Sequence, residues 1–186
     1  GVGAVPHCRP SSLTNLKSTG FCDLLMEQAS KRAYTEFAQE HSFQANYWRD
    51  PRPAEKSDYE NFSQLARWNN EGHTNTTFND NFAKTNKFVW IMATQDGMVW
   101  PKEGEHWGCP DPSAPLQKVL PREKCEWFKK DLFGLKTAEE AGKNHYLTFE
   151  GDHLQFSMDE YTDWINTYLK EISDGRGKEE MTTNVQ

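Results

Sequence analysis

The segment Tyr146-Leu147-Thr148-Phe149-Glu150-Gly151-Asp152-His153 joins a short apolar run to a turn that contains a histidine. Such runs are typical of buried strands, and the glycine favours a turn. A second apolar run, Phe88 to Ala93, precedes a similar turn that contains Asp96. Parallel strands lie about 4.8 Å apart and end at the same sheet edge. We therefore expect a carboxylate oxygen of Asp96 within roughly 3 Å of a ring nitrogen of His153, although 57 positions (153 minus 96) separate them.

The order of these residues, acid first and histidine second, is that of the last two triad members in α/β-hydrolases. His153 would act as general base and then as general acid, while Asp96 would fix the tautomer of the imidazole. Asp152 is the rival acid, but neighbouring side chains diverge, so we expect it to form the turn. No Gly-x-Ser-x-Gly nucleophile motif occurs in the 186 residues. The sequence thus predicts two triad members and leaves the nucleophile to come from elsewhere.

The fold class predicted from these runs is α/β. Phe88 to Ala93 is continuously apolar, a pattern typical of a strand buried on both faces of a parallel sheet. His145 to Phe149 is the second predicted strand. Two isolated strands cannot cover themselves, so we expect the rest of the sheet to come from outside this chain.

The remaining segments are predicted to be helical or irregular. Good helix formers run from Asp23 to about Glu40, and Glu123 to Leu132 is predicted to be helical, after a Gly- and Pro-rich connection. Ser157 and Glu160 form a capping box at the start of an aromatic helix, and Phe156 with Tyr161 are placed for a hydrophobic staple.

Composition and charge narrow the class of partner. The net charge of -7 argues against nucleic acid or an anionic membrane surface as the main partner. No apolar stretch approaches the roughly 18 residues of a bilayer-spanning helix.

The cysteines and two sequons favour an oxidising, secretory-pathway origin. Four cysteines allow three pairings, and proximity in sequence favours Cys8–Cys22 and Cys109–Cys125. No Cys-x-x-Cys occurs, so we expect no zinc or other metal site. The candidate glycosylation acceptors are Asn61 and Asn75.

Several segments carry a resemblance to a known family. Thr148-Phe149-Glu150-Gly151-Asp152-His153-Leu154-Gln155, followed by the capped aromatic helix, resembles the C-terminus of palmitoyl-protein thioesterases. Phe133-Gly134-Leu135-Lys136 and Asn46-Tyr47-Trp48-Arg49-Asp50-Pro51 resemble two further family segments. Val5-Pro6-His7-Cys8 with Cys22 is similar to the family's disulfide loop, which supports that pairing. The resemblance runs in family order from Gly1 to about Ile172.

The resemblance implies a lysosomal α/β-hydrolase that cleaves fatty acyl thioesters from cysteine without a cofactor. The family's nucleophile elbow and early strands precede the region matched here. We therefore expect residues 1–173 to be the C-terminal part of the domain, with a helical and loop insertion at about 23–86 and a polar tail at 174–186. The expected partners are an N-terminal fragment of the same precursor that carries the serine, an S-acylated substrate, and an assembly neighbour that holds the tail.

The resemblance also indicates which residue is the triad aspartate. One subfamily places its triad aspartate in a Val-Asp-Pro sequence, and the aligned segment here is Val99-Trp100-Pro101. The other lysosomal subfamily places it four positions earlier, in an Asp-Asp-Gly-Val segment, and that alignment falls on Asp96.

Apolar side chains near these turns are candidates for an acyl groove, since a fatty chain needs aromatic and flexible apolar walls. The candidates are Met98, Trp100, Trp107 and Phe156, and we expect His106 to be at the surface. The alternative function is a non-catalytic binding or structural protein that keeps the hydrolase framework. The shifted acid and the missing serine favour that alternative.

Overall fold

The computed structural model describes residues 19–115 and 117–169. The elements follow in the order α1 (Thr19–Ala33), α2 (Glu36–His41), α3 (Phe43–Tyr47), α4 (Lys56–Phe62), α5 (Gln64–Trp68), α6 (Thr76–Lys84), β1 (Phe88–Ala93), β2 (Cys109–Pro110), β3 (Val119–Leu120), α7 (Glu126–Lys129), α8 (Leu135–Glu140), β4 (Asn144–Phe149) and α9 (Met158–Tyr168). None of the helices in these ranges is long and apolar enough to cross a membrane.

The two predicted strands pair with each other in parallel. β1 and β4 run in register from Phe88 opposite Asn144 to Ala93 opposite Phe149, so both strands end at one level. β2 and β3 form a small antiparallel pair. Helices and a parallel sheet agree with the predicted α/β class.

Neither strand is fully buried within the described part of the chain, and burial of both strands in a completed sheet stays a prediction. Five of the six residues of β1 are only half-buried, and Ala93 alone is buried. β4 is half-buried over Asn144 to Leu147, exposed at Thr148 and buried only at Phe149. Within the described residues the sheet consists of these two strands, so much of its apolar surface has no cover.

The N-terminal helices form a core of their own. Its members are small and aromatic side chains that are at most 8% exposed: Ala33, Tyr34, Ala45, Tyr59, Leu65 and Ala66. The single helix predicted from Asp23 to about Glu40 is divided at Tyr34 and Thr35. Thr35 is extended (φ -92°, ψ 147°) and its side chain accepts the Ala38 N–H, so it caps a new helix.

A second core lies against the sheet. Trp107, Trp127, Phe133 and Leu135 are its large members, and the disulfide Cys109–Cys125, with a Cα–Cα distance of 5.9 Å, is part of it. This confirms one predicted disulfide. The Cys8–Cys22 pairing lies outside the residues whose side chains are described, as does the tail 174–186. The helix predicted from Glu123 to Leu132 is reduced to a 3-10 turn, Arg122–Lys124, and the short α7.

The last helix begins as predicted. Ser157 accepts the Glu160 N–H and Glu160 accepts the Ser157 N–H, which completes the capping box. The rings of Phe156 and Tyr161 stack at 5.9 Å, as expected of a hydrophobic staple. Trp164 contacts Phe149 at a ring separation of 6.1 Å, so α9 lies beside the end of β4.

Candidate active site

The turns after β1 and β4 are joined to each other by backbone hydrogen bonds. Thr94 N–H donates to Phe149 O (3.0 Å), and Gln95 N–H donates to Gly151 O (2.9 Å). These bonds continue the parallel ladder past the ends of both strands. The loops that contain Asp96 and His153 are therefore held side by side at one sheet edge.

Asp96 is fixed by its own loop. Its Oδ1 accepts the N–H groups of Met98 and Val99, both at 2.7 Å, and its side chain is fully buried. Burial opposes ionisation of this carboxyl. The hydrogen bonds from Val99 N–H, from His153 and from Met98 N–H outweigh burial, and the pKa of Asp96 is lowered from its usual value. Asp96 is therefore a carboxylate at neutral pH.

Asp96 and His153 are in direct contact. Asp96 Oδ2 lies 2.7 Å from His153 Nδ1, within the distance predicted from the sequence. The His153 side chain is 28% exposed. Within the described residues, no hydrogen bond involves its Nε2. A histidine with Nδ1 bound to a carboxylate and an accessible Nε2 is the arrangement that general-base catalysis requires.

Asp152 does not contact the imidazole as an acid. Its Oδ1 accepts the N–H of Gly97 from the other loop and the N–H of His153, both at 2.7 Å. These bonds lower the pKa of Asp152. The residue is a turn former, as predicted, and it also ties the two loops together across 55 positions.

Gly151 allows the close approach that this turn needs. A Cβ at this position would lie 3.1 Å from the ring of Phe149 and 3.4 Å from Gln155 O, tighter than ordinary contact. Leu154, directly after His153, has a positive φ of 57°. A side chain at Gly151 would therefore require the Phe149 ring to shift by a few tenths of an ångström.

Glu105 joins the site from a third segment, and the sequence analysis did not find it. It lies in the 3-10 turn Lys102–His106, and its Oε2 accepts the Ala93 N–H at 2.9 Å. Burial raises the pKa of Glu105 to about 7, opposed by the Ala93 N–H and reinforced by the Asp96 carboxyl. In the sequence nothing distinguishes Glu105 from its neighbour Glu103.

Among the described residues, Asp96, Glu105 and His153 are the group whose side chains could together offer ligand atoms to a metal ion. One atom each from Asp96, Glu105 and His153 lies within 4.8 Å of the others. His153 Nδ1 and Asp96 Oδ2 already bind each other, and Asp96 Oδ1 accepts two backbone N–H groups. The arrangement therefore fits a proton-sharing cluster. The absence of a metal stays a prediction.

The predicted groove residues are not brought together. Phe156 lines an apolar groove of about 310 Å³ between α9 and the face of β1 that carries Val89 and Ile91. Met98 is 68% exposed, and neither Met98 nor Trp100 lines this groove.

Trp107 and His106 lie elsewhere than expected. Trp107 is 5% exposed and packs edge-on against Trp90, on the other face of β1, so it cannot line that groove. His106 is half-buried, and its Nε2 lies 2.8 Å from Leu147 O and 3.2 Å from Trp90 O. The expectation of a surface histidine is wrong, because the connection folds back onto the sheet.

The two candidate glycosylation acceptors, Asn61 and Asn75, are exposed. Asn75 also caps α6, because its Oδ1 accepts the Thr77 N–H at 3.0 Å. Their modification stays a prediction.

Comparison with known proteins gives consistent matches. The family described as palmitoyl protein thioesterase matches residues 1–153. Palmitoyl-protein thioesterase 1 of Caenorhabditis elegans is 30% identical over 155 residues, which cover 83% of this chain and 49% of that protein. Palmitoyl-protein thioesterase 3 of Dictyostelium discoideum is 30% identical over 118 residues, which cover 63% of this chain and 40% of that protein.

A third relative is the lysosomal thioesterase PPT2 homolog of Drosophila melanogaster, 31% identical over 126 residues that cover 66% of this chain and 42% of that protein. The chain spans about half the length of the curated relatives it matches, or less. The matched region includes both strands, both turns and the disulfide that the structure describes. The chain belongs to the palmitoyl-protein thioesterase family.

Proposed function

We propose that this chain is the C-terminal part of a serine hydrolase that cleaves S-acyl thioesters of fatty acids from cysteine. His153 is the base of its triad and Asp96 is the acid. The observation that carries the proposal is the 2.7 Å contact between Asp96 Oδ2 and His153 Nδ1 at one sheet edge. The names of the relatives, palmitoyl-protein thioesterases, supply the substrate class.

The reaction follows from this geometry. With Nδ1 bound to Asp96, the Nε2 of His153 takes the proton of a serine hydroxyl as the serine oxygen attacks the thioester carbonyl. The C–S bond of the tetrahedral intermediate breaks, and His153 gives the proton to the departing cysteine sulfur. Water, activated by the same Nε2, then hydrolyses the acyl-serine. Asp96 stays ionised throughout and stabilises the imidazolium, a role that suits its lowered pKa.

The serine belongs, in this proposal, to an N-terminal fragment of the same precursor. The chain itself contains no Gly-x-Ser-x-Gly motif. Parallel sheets are normally covered on both faces, whereas β1 and β4 are mostly half-buried here. Additional strands from the missing part would cover the sheet and would bring the nucleophile to the edge where His153 lies.

A lysosomal or secretory location suits the same proposal. The Cys109–Cys125 disulfide requires an oxidising compartment to form and persist. The exposed Asn61 and Asn75 are accessible to glycosylation. The Drosophila relative is named as a lysosomal thioesterase.

The test uses the full-length gene product. The native protein is first treated with a fluorophosphonate probe, which labels reactive serines, and is then separated by denaturing electrophoresis. Hydrolysis of a palmitoyl thioester is measured on a second sample. We expect a labelled serine outside residues 1–186 and hydrolysis that His153→Ala abolishes. A product with no labelled serine and no hydrolysis would favour the non-catalytic binding protein, for which the missing serine motif is the supporting observation.

A further inference from the structure

Glu105 reaches the Asp96–His153 pair from a segment that supplies neither residue. Its 3-10 turn, Lys102–His106, packs against β1, and its Oε2 accepts the N–H of Ala93, the last residue of that strand. One oxygen of Glu105, one oxygen of Asp96 and one ring nitrogen of His153 all lie within 4.8 Å of each other. Charged groups within about 4–6 Å of one another shift each other's pKa values.

The surroundings of Glu105 favour its neutral form. Two carboxylates in contact repel each other unless one of them holds a proton. The titratable groups beside the Glu105 carboxyl are Asp96 and His153. Lys102, Glu103 and His106 belong to the same 3-10 turn, and Tyr161 and Tyr168 line the same groove as Glu105. Lys102 Nζ donates to Thr94 O, and within the described residues it makes no ion pair with Glu105. The nearby Asp96 carboxyl also raises the pKa of Glu105.

We propose that Glu105 is a positioning residue, which in its protonated form donates a hydrogen bond to the Asp96 carboxylate and so fixes the acid that orients His153. The proposal rests on the proposed function and deepens it. One oxygen of Glu105 is held by the Ala93 N–H and the other carries the proton for Asp96. Glu105 thereby couples the orientation of the acid to the end of β1.

A dependence on pH follows from this arrangement. Below the pKa of Glu105, raised to about 7, the proton stays on Glu105 and Asp96 keeps its donor. Above it, two negative charges meet at the buried end of β1, and the hydrogen bond to Asp96 is lost. Hydrolysis should therefore decline as the pH rises through about 7. A hydrolase with this device favours an acidic compartment.

Two substitutions separate the proton from the side chain. In Glu105→Gln the amide oxygen can still accept the Ala93 N–H, and the amide NH₂ can donate to Asp96 at every pH. Glu105→Ala removes both bonds. In the full-length protein at pH 6, we expect Glu105→Ala to lower kcat about tenfold with little change in KM, and Glu105→Gln to recover most of that loss. Glu105→Gln should also abolish the decline in activity above pH 7.

Glu103→Gln is the matched control, since it removes the same charge from the same 3-10 turn. It should keep the wild-type decline above pH 7. If Glu105→Gln keeps that decline as well, or if Glu105→Ala lowers only the melting temperature, the positioning role is wrong. If His153→Ala is as active as the wild type, the proposed function is wrong instead.

A measurement without substrate tests the positioning role of Glu105 independently of the proposed function. Carboxyl-carbon NMR of the folded full-length protein should show one glutamate that titrates near pH 7 and that is missing in Glu105→Gln. Retention of that signal in Glu105→Gln, or its absence from the wild type, overturns the inference whatever the activity.

Discussion

Two carboxyl groups in this chain, one buried and one half-buried, have opposite surroundings. In the helical region, Glu71 is 7% exposed and forms a bidentate pair with Arg49, with further hydrogen bonds from Tyr59 OH (3.0 Å) and Asn69 Nδ2 (3.1 Å). At the sheet edge, Glu105 lies against a second carboxyl, Asp96.

The two clusters differ in how their charges are compensated. Burial disfavours the charge on Arg49, but the Glu71 carboxylate outweighs it and raises the pKa of Arg49 further. The Glu71 carboxyl accepts hydrogen bonds from Arg49, Tyr59 and Asn69. The Asp96–Glu105–His153 cluster instead holds two acids and one base at short range. Like charges held together are costly for folding and are concentrated at sites that move protons.

The two regions also differ in how far their apolar side chains are buried. Leu65 and Ala66 in the helical core are 3% and 0% exposed, whereas Val89 and Ile91 of β1 are half-buried and line a groove. The helical region has a buried core of its own, although its Phe37 and Phe43 side chains are exposed. The sheet presents an uncovered face exactly where the proposed hydrolase needs further strands.

The largest expected effect is on the chemistry of the sheet edge. His153→Ala should lower kcat/KM for thioester hydrolysis by about 10⁴-fold or more, because the serine loses its base. The free energy of unfolding should fall by about 1–3 kcal/mol, because the buried Asp96 carboxylate loses one hydrogen-bond partner. Activity assays and urea denaturation of the full-length protein measure the two quantities.

His41→Ala is the matched control in the helical region. His41 is exposed, and among the described residues its ring is hydrogen-bonded to Phe37 O at 2.9 Å and stacks on the Phe37 ring of the same helix. We expect wild-type activity. An equal loss of activity in both variants would remove the distinction between the two regions.

The next largest effect concerns the ion pair between Arg49 and Glu71. Arg49→Met should lower the free energy of unfolding by about 3–5 kcal/mol, because it leaves the Glu71 carboxylate buried without its cation. The residual activity of the folded fraction should be unchanged. Denaturant unfolding followed by aromatic fluorescence checks this prediction.

A double variant sharpens the result. Glu71→Gln in the Arg49→Met background removes the unpaired charge and should recover part of the lost stability. No recovery would mean that Arg49 stabilises the fold through its contacts with the rings of Tyr59 and Trp127, at 4.7 and 4.5 Å, more than through its charge.

Paired core truncations test whether the sheet is covered in the full-length protein. Leu65→Ala should cost about 2–5 kcal/mol of unfolding free energy, since Leu65 is 3% exposed. Ile91→Ala should cost a similar amount if additional strands and helices bury β1. Equilibrium unfolding of both variants gives the comparison. A cost below about 1 kcal/mol for Ile91→Ala would mean that this face stays open, which contradicts the proposed N-terminal part.

The smallest expected effect is at the junction of the two regions. Lys56 Nζ lies 3.1 Å from Glu126 Oε2, but the two side chains are 54% and 47% exposed. Lys56→Ala should therefore change the unfolding free energy by less than about 1 kcal/mol. Thermal unfolding at low and high salt measures it. A larger, salt-dependent loss would show that this contact holds the regions together.

Local sequence signals predicted a substantial part of the fold. The apolar runs predicted β1 and β4 to within one residue, because a strand buried in a parallel sheet must be apolar. Ser157 and Glu160 predicted the start of α9, because the capping box is a contact within one turn. Helix length was predicted less well. The division at Thr35 depends on a partner distant in sequence, since the Tyr34 hydroxyl accepts the Asp50 N–H at 2.9 Å.

The sequence by itself determined the family, the α/β class, one disulfide and the pairing of Asp96 with His153. Each of these depends on a local pattern or on the rule that parallel strands end at one edge. The tertiary structure alone decided the position of Glu105, the burial of Trp107 and the contacts of His106. These side chains lie in the Gly- and Pro-rich connection after β1, whose path is set by packing against the sheet. No periodicity within such a segment encodes which face of the sheet it will cover, so only the folded chain places a third carboxyl-bearing segment beside the acid.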